Sequence, residues 1–158
     1  MRILLDTHCF LWWISEVERL NKEARRILAA GNNTLYLSAA SAWEIAIKVS
    51  IGKLILPDPP GKFVPARLAT QGISALPINH IHALHVETLP LFHKDPFDRM
   101  LVAQAQLEGL PLLTADRKLL SYEVKIIWAA SRPMPLASPG PRRSGPPRSR
   151  IRRRQRTR

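Results

Sequence analysis

Cysteine is almost missing from this chain: Cys9 is the only one in 158 residues. That excludes an intramolecular disulfide and a cysteine-built zinc cage, and it fits a reducing compartment. Long apolar runs are missing too. No stretch approaches the ~18 residues that read as a membrane span. The apolar start from Met1 is interrupted by Asp6 and His8, which makes it a poor signal peptide. The expectation is a soluble, cytoplasmic protein.

Acid is absent from one part of the chain. From Pro133 to Arg158 there are nine arginines and no Asp or Glu, so of the formal net charge of +12 only +3 rests on residues 1–132. A basic balance favours polyanionic partners without choosing among them. The same segment is rich in Pro, Ser and Gly. It cannot bury enough apolar surface to offset its ordering entropy. Residues 132–158 are therefore expected to be a disordered basic tail, and residues 1–131 a single domain.

Within 1–131 there is no internal repeat. Short β-rich runs alternate with longer helical stretches, the pattern of parallel βα units. Strands are expected at Arg2–Leu5, Leu35–Leu37, Ile73–Ile78, Pro111–Ala115 and Val124–Trp128. Helices are expected at Cys9–Ile14, from Asn21 as N-cap to Ala30 with Gly31 closing it, and after a cap at Ser38 or Ser41. Others are expected over Phe63–Gln71, weakly over His80–Leu89, and from Asp95 and Pro96 to Leu107 with a stop at Gly109. The fold class is α/β, a three-layer α/β/α sandwich with a mostly parallel sheet.

Four acids stand out against this frame. Asp6 follows the first strand and Asp116 follows the fourth. In open α/β sheets the carboxyl ends of strands face the ligand site, although either residue also serves as a turn or cap. Asp98 lies at N3 of the helix capped by Asp95, where a dipole contribution of roughly 0.3–1 kcal/mol explains it structurally. Glu44 sits in a very apolar helix with Lys48 four residues on; an i,i+4 pair is one reading, a metal ligand the other. Clustered carboxylates repel unless a cation joins them. With a hard divalent cation they suit water activation and in-line displacement at phosphate. Thr7 or Thr114 could orient the acids by hydrogen bonding.

Around these acids the sequence resembles the PIN-domain ribonuclease toxins of the VapC type, of type II toxin–antitoxin systems. The matching stretches are Leu4–His8, Ser41–Ile45, His93–Ala105 and Leu113–Asp116, the third being the longest and most specific. The resemblance implies a PIN-like fold and a shared site of Asp6, Glu44, Asp98 and Asp116. It also implies Mg²⁺ or Mn²⁺ dependence, endonucleolytic cleavage of tRNA or rRNA, homodimers, and a cognate antitoxin of Phd/YefM-like type. Asp98 is the implied ligand and Asp95 keeps the cap. The arginine-rich tail departs from the family pattern.

Several residues are read as structural. His80, His82, His85 and His93 lack a zinc-like spacing and are expected at the surface of a helix or loop. Phe10, Leu11, Trp12 and Trp13 are expected in the core or at a protein contact, and Arg99 in a surface ion pair. A phosphotransferase of the aspartyl-phosphate kind is disfavoured, because position 8 is His where a second Asp is needed and no lysine ends the last strand. The non-enzymatic alternative is a PIN-like module that binds RNA or a partner through its basic tail.

Overall fold

The computed structural model describes residues 1–131. The tail expected at 132–158 lies outside the described residues. The elements in chain order are β1 (Arg2–Leu5), α1 (Thr7–Ser15), α2 (Lys22–Ala29), β2 (Thr34–Ser38), α3 (Ala39–Ser50) and α4 (Pro60–Gln71). They continue with β3 (Ile73–Leu76), α5 (His80–His85), α6 (Pro96–Glu108), β4 (Leu112–Thr114) and β5 (Ile126–Trp128). Short 3₁₀ turns cover Val17–Arg19, Val86–Thr88 and Arg117–Ser121.

The five strands form one sheet in the order β3-β2-β1-β4-β5, and every pair is parallel. Side chains alternate across it, as the strand period requires. Ile3, Leu5, Leu35, Leu37 and Leu113 join one core with Phe10 of α1, Ile27 of α2, Ile45 of α3 and Phe63 of α4. Leu4 and Leu112 face the other way and pack with Leu101, Val102 and Ala105 of α6. Each buried leucine contributes roughly 1.5–3 kcal/mol relative to an exposed one. Two apolar faces on one sheet, each covered by helices, make the three-layer sandwich. Cys9 is fully buried in the first core, and burial pushes its thiol well above the usual range.

Element ends follow local chemistry. Asn21 caps α2 through Ala24 N–H (2.7 Å), Ser38 caps α3 through Ala40 N–H (2.9 Å), and Asp95 caps α6 through Phe97 N–H (2.8 Å). Gly109 closes α6 in the left-handed region at φ 62, which glycine enters without a Cβ clash. Other boundaries differ from expectation. Gly31 does not terminate α2, which ends at Ala29 with Ala30 extended. β3 stops at Leu76, before Pro77, which has no N–H for the ladder. The helix at His80 is α only to His85 and then tightens to 3₁₀.

Gln104 is a fully buried polar residue of α6 that ties the layers together. It accepts from Ser38 Oγ at 2.5 Å and donates to Pro77 O at 3.0 Å, joining the ends of β2 and β3. Gln104→Ala should cost about 2–3 kcal/mol, since two buried partners lose their bonds. Urea unfolding measures it; an unchanged midpoint would show that the bridge contributes nothing.

Candidate metal centre

The strand order reverses between β1 and β4, so the connections to the two sides of the sheet diverge there and leave a crevice at the carboxyl ends. Asp6 leaves β1 directly into this crevice as the N-cap of α1. Its backbone N–H donates to Leu113 O at 3.0 Å, which fixes it against β4. Asp6 is buried, at 2 % exposure. One oxygen accepts from His8 N–H at 3.3 Å and the other from Thr114 Oγ1 at 2.6 Å. Thr114 in turn accepts from the backbone N–H of Asp116 at 3.0 Å. A single hydroxyl at the end of β4 thus sets both acids. Thr7, the other threonine considered, has a buried Oγ1 with no hydrogen-bond partner.

Asp116 caps the 3₁₀ turn after β4 through Lys118 N–H at 2.8 Å. Its other oxygen points to His93 Nε2 at 3.0 Å, and Asp98 Oδ2 approaches the same nitrogen at 3.2 Å. His93 Nε2 and one oxygen from each of these acids lie within 4.8 Å of one another. Asp98 sits in the first turn of α6. Burial drives its carboxyl pKa up to about 8, and the charges of Asp6, Asp95, Asp116 and Glu44 add to the rise in that order. Glu44 is 6 % exposed on α3 and pairs with Lys48 Nζ at 2.5 Å.

The structure thus brings Asp6, Glu44, Asp98 and Asp116 into one electrostatic neighbourhood, with Asp95 kept at its cap. Of the two readings of Glu44, the i,i+4 pair with Lys48 is present. Two other expectations need revision. The histidines are not all peripheral: His93 is 6 % exposed inside the acid cluster. His82 is buried too, closing a capping box with Asn79 and meeting Glu108 at 3.1 Å. Arg99 is also misplaced by its sequence reading. It is buried, pairs with no carboxylate among the described residues, and donates to the carbonyls of Val86, Leu89 and Pro90 and to Tyr122 Oη.

Asp98, Asp116 and His93 each bring one possible ligand atom within 4.8 Å of the others, Asp6 is tied to the Asp116 segment through Thr114, and the carboxylate oxygens are hard donors. Such sets suit Mg²⁺ or Mn²⁺ rather than thiophilic metals. Burial first, and then the neighbouring acids, raise the Asp98 pKa, and a cation bound beside it would favour the ionised form. The residues fit a divalent ion. A 460 Å³ pocket opens over Asp6 and Asp116, rimmed by His8, Trp12, Arg117 and Lys118. Asp6, as hydrogen-bond acceptor, raises the His8 imidazole pKa against the opposing effect of burial.

A parallel sheet of this order with acids at the β1/β4 switch point defines a class, and the sequence agrees with it. The profile of the PIN domain family matches residues 3–125, and the chain belongs to that family. Within it the chain is similar to VapC proteins. It is 29 % identical over 123 residues to ribonuclease VapC22 of Mycobacterium tuberculosis, covering 76 % of this chain and 91 % of that one. It is 46 % identical over 63 residues to ribonuclease VapC16 of the same organism, a match spanning 40 % of this chain and under half (45 %) of VapC16. The fold matches VapBC2 from Rickettsia felis, bound to a DNA fragment from its promoter, with a TM-score of 0.62 at 14 % identity, over 82 % of this chain and 99 % of that one. It also matches a toxin–antitoxin complex from Klebsiella pneumoniae, with a TM-score of 0.55 at 20 % identity, over 80 % and 96 %. Among the described residues no helix is long and apolar enough to cross a membrane.

Proposed function

We propose that this protein is a VapC-type ribonuclease, the toxin of a toxin–antitoxin pair, hydrolysing RNA phosphodiester bonds at the Asp6, Glu44, Asp98 and Asp116 site. The observation that carries the reading is the convergence of acids at the β1/β4 switch point, with buried Asp6 and the half-buried Asp116 segment joined through Thr114. The ribonuclease names of its VapC relatives support the activity. The fold shared with a toxin–antitoxin complex supports an antitoxin partner. The finer expectations are part of the proposal: tRNA or rRNA as substrate, a homodimer, and a Phd/YefM-like antitoxin.

Asp6, Asp98 and Asp116 would hold Mg²⁺ or Mn²⁺, with Glu44 beside them. A bound divalent ion supplies a polarised water and a clamp on the scissile phosphate. The protein's own groups do the rest. Thr114 holds the Asp6 carboxylate in one rotamer through a charge-assisted bond. Lys48 stays on Glu44 and limits the repulsion of the cluster. Arg117 and Lys118 at the pocket rim meet the flanking phosphates, which positions RNA without reading its sequence.

Purified chain should cut total tRNA or rRNA into discrete fragments with Mg²⁺ or Mn²⁺ and not with EDTA, and Asp6→Asn should lose the cleavage. A folded, antitoxin-free protein that cuts none of these RNAs would leave a binding module as the better account. Thr114→Val, nearly the same shape, should lower the cleavage rate about tenfold or more, in the range of outer partners of metal ligands. It should cost only about 1–2 kcal/mol of stability. A Thr114→Val protein with unchanged rate would remove Thr114 from the site.

A further inference from the structure

His93 enters the cluster between two carboxylates, and its chemical role there is fixed by its second nitrogen. Nδ1 accepts the backbone N–H of Asp95 at 2.9 Å. An accepting nitrogen carries no proton, so the neutral ring has its N–H at Nε2. That N–H faces Asp98 Oδ2 at 3.2 Å and Asp116 Oδ2 at 3.0 Å. Metal ligation through Nε2 needs the opposite tautomer. The proton would then sit on Nδ1 and point at another N–H donor 2.9 Å away.

The ring has little freedom to change this. His93 is 6 % exposed, and its backbone N–H donates to Tyr122 Oη at 2.9 Å. The same phenol oxygen receives Arg99 Nη1 at 3.4 Å, while Arg99 holds the carbonyls of Val86, Leu89 and Pro90 in the segment leading to His93. A buried clamp therefore places one histidine N–H between acids from two separate elements.

We propose that His93 is a positioning residue, acting as a hydrogen-bond donor and not as a metal ligand: it holds Asp98 on α6 and Asp116 after β4 at a common point. This rests on the metal-nuclease reading above. The two carboxyl groups come from different elements, and the shared donor gives their side chains one meeting point. Each carboxylate keeps lone pairs free for a cation. The arrangement is the carboxylate counterpart of the outer partners that orient ligands at metal sites.

The test is Mn²⁺ binding to the full chain, followed by the electron paramagnetic resonance of free Mn²⁺, for wild type, His93→Ala and His93→Gln. A glutamine amide can place an N–H near the Nε2 position. His93→Ala should weaken Mn²⁺ about tenfold or more, and His93→Gln should recover to within about threefold of wild type. Electron spin echo of Mn²⁺ on the wild type should show no nitrogen coupling that His93→Gln removes. Such a coupling would overturn the proposal by making His93 a ligand, whether or not the alanine variant folds. Equal Mn²⁺ affinity in wild type and His93→Ala would overturn it by leaving His93 merely structural. Wild-type protein that binds no Mn²⁺ at all would instead strike the metal reading on which the proposal rests.

Discussion

Asp98→Asn is expected to make the metal-free protein more stable while abolishing cleavage. With its folded pKa raised to about 8, Asp98 keeps its proton in the native state at pH values where the unfolded chain has released it. The native state then binds more protons than the unfolded one, so stability falls as pH rises from about 4 to about 8. Asparagine has nothing to ionise, and its melting temperature should lack this slope. Each pKa unit corresponds to about 1.4 kcal/mol. The side chain is still 18 % exposed, so solvent screening brings the gain at pH 8 to on the order of 2–4 kcal/mol. Mg²⁺ or Mn²⁺ should raise the melting temperature of wild type at pH 8 and leave the variant nearly unmoved. The rate of RNA cleavage should drop at least a thousandfold, as expected when a group that stabilises the transition state electrostatically is removed. Thermal unfolding with EDTA from pH 5 to 9 gives the stability half; parallel slopes for the two proteins would refute it.

The adjacent residue should behave in the opposite way. Arg99→Ala removes four hydrogen bonds in a buried setting, two of them at 2.8 Å, to Pro90 O and Val86 O. The carbonyls of Leu89 and Pro90 and the Tyr122 hydroxyl lose a charged donor together. The cost should be about 3–5 kcal/mol, the range for breaking a buried charged network. Arg99→Lys should rescue little, because a point-like ammonium cannot span four acceptors that the flat guanidinium reaches from two nitrogens. Hydrogen exchange adds a local readout. Amides around His93 should lose protection in Arg99→Ala before those of the β-sheet do, because the clamp holds that segment. Urea midpoints within a few tenths of wild type would show that Arg99 is dispensable.

These neighbours illustrate what could be read in advance. The helix that carries both was legible from Asp95, Pro96 and Gly109, residues whose backbone chemistry starts and stops a helix wherever they fall. The parallel sheet was legible from alternating β and α text. Asp6 and Asp116 were legible because a strand end is a position as well as a residue. Arg99 was misjudged by residue type, since a lone arginine normally stays at the surface. Its spacing held the better signal: it precedes Val102 and Ala103 by three and four residues, on the face that α6 buries. His93 had no such periodicity. Its place comes from a loop folded against Tyr122, a contact 29 residues apart in sequence, and the one hint was its position at the head of the most family-like stretch. Glu44 shows a case legible from spacing: Lys48, four residues on along the same helix face, is the ion-pair partner that the sequence offered.

The most direct measurement is the anomalous scattering of Mn²⁺ in crystals of the protein grown or soaked with the metal. The account predicts a peak at the carboxyl ends of β1 and β4, within bonding distance of Asp6 and of at least one of Asp98 and Asp116, and absent in Asp6→Asn. Crystals at millimolar Mn²⁺ with no peak there, or with peaks only at surface acids such as Glu16 or Glu23, would contradict it.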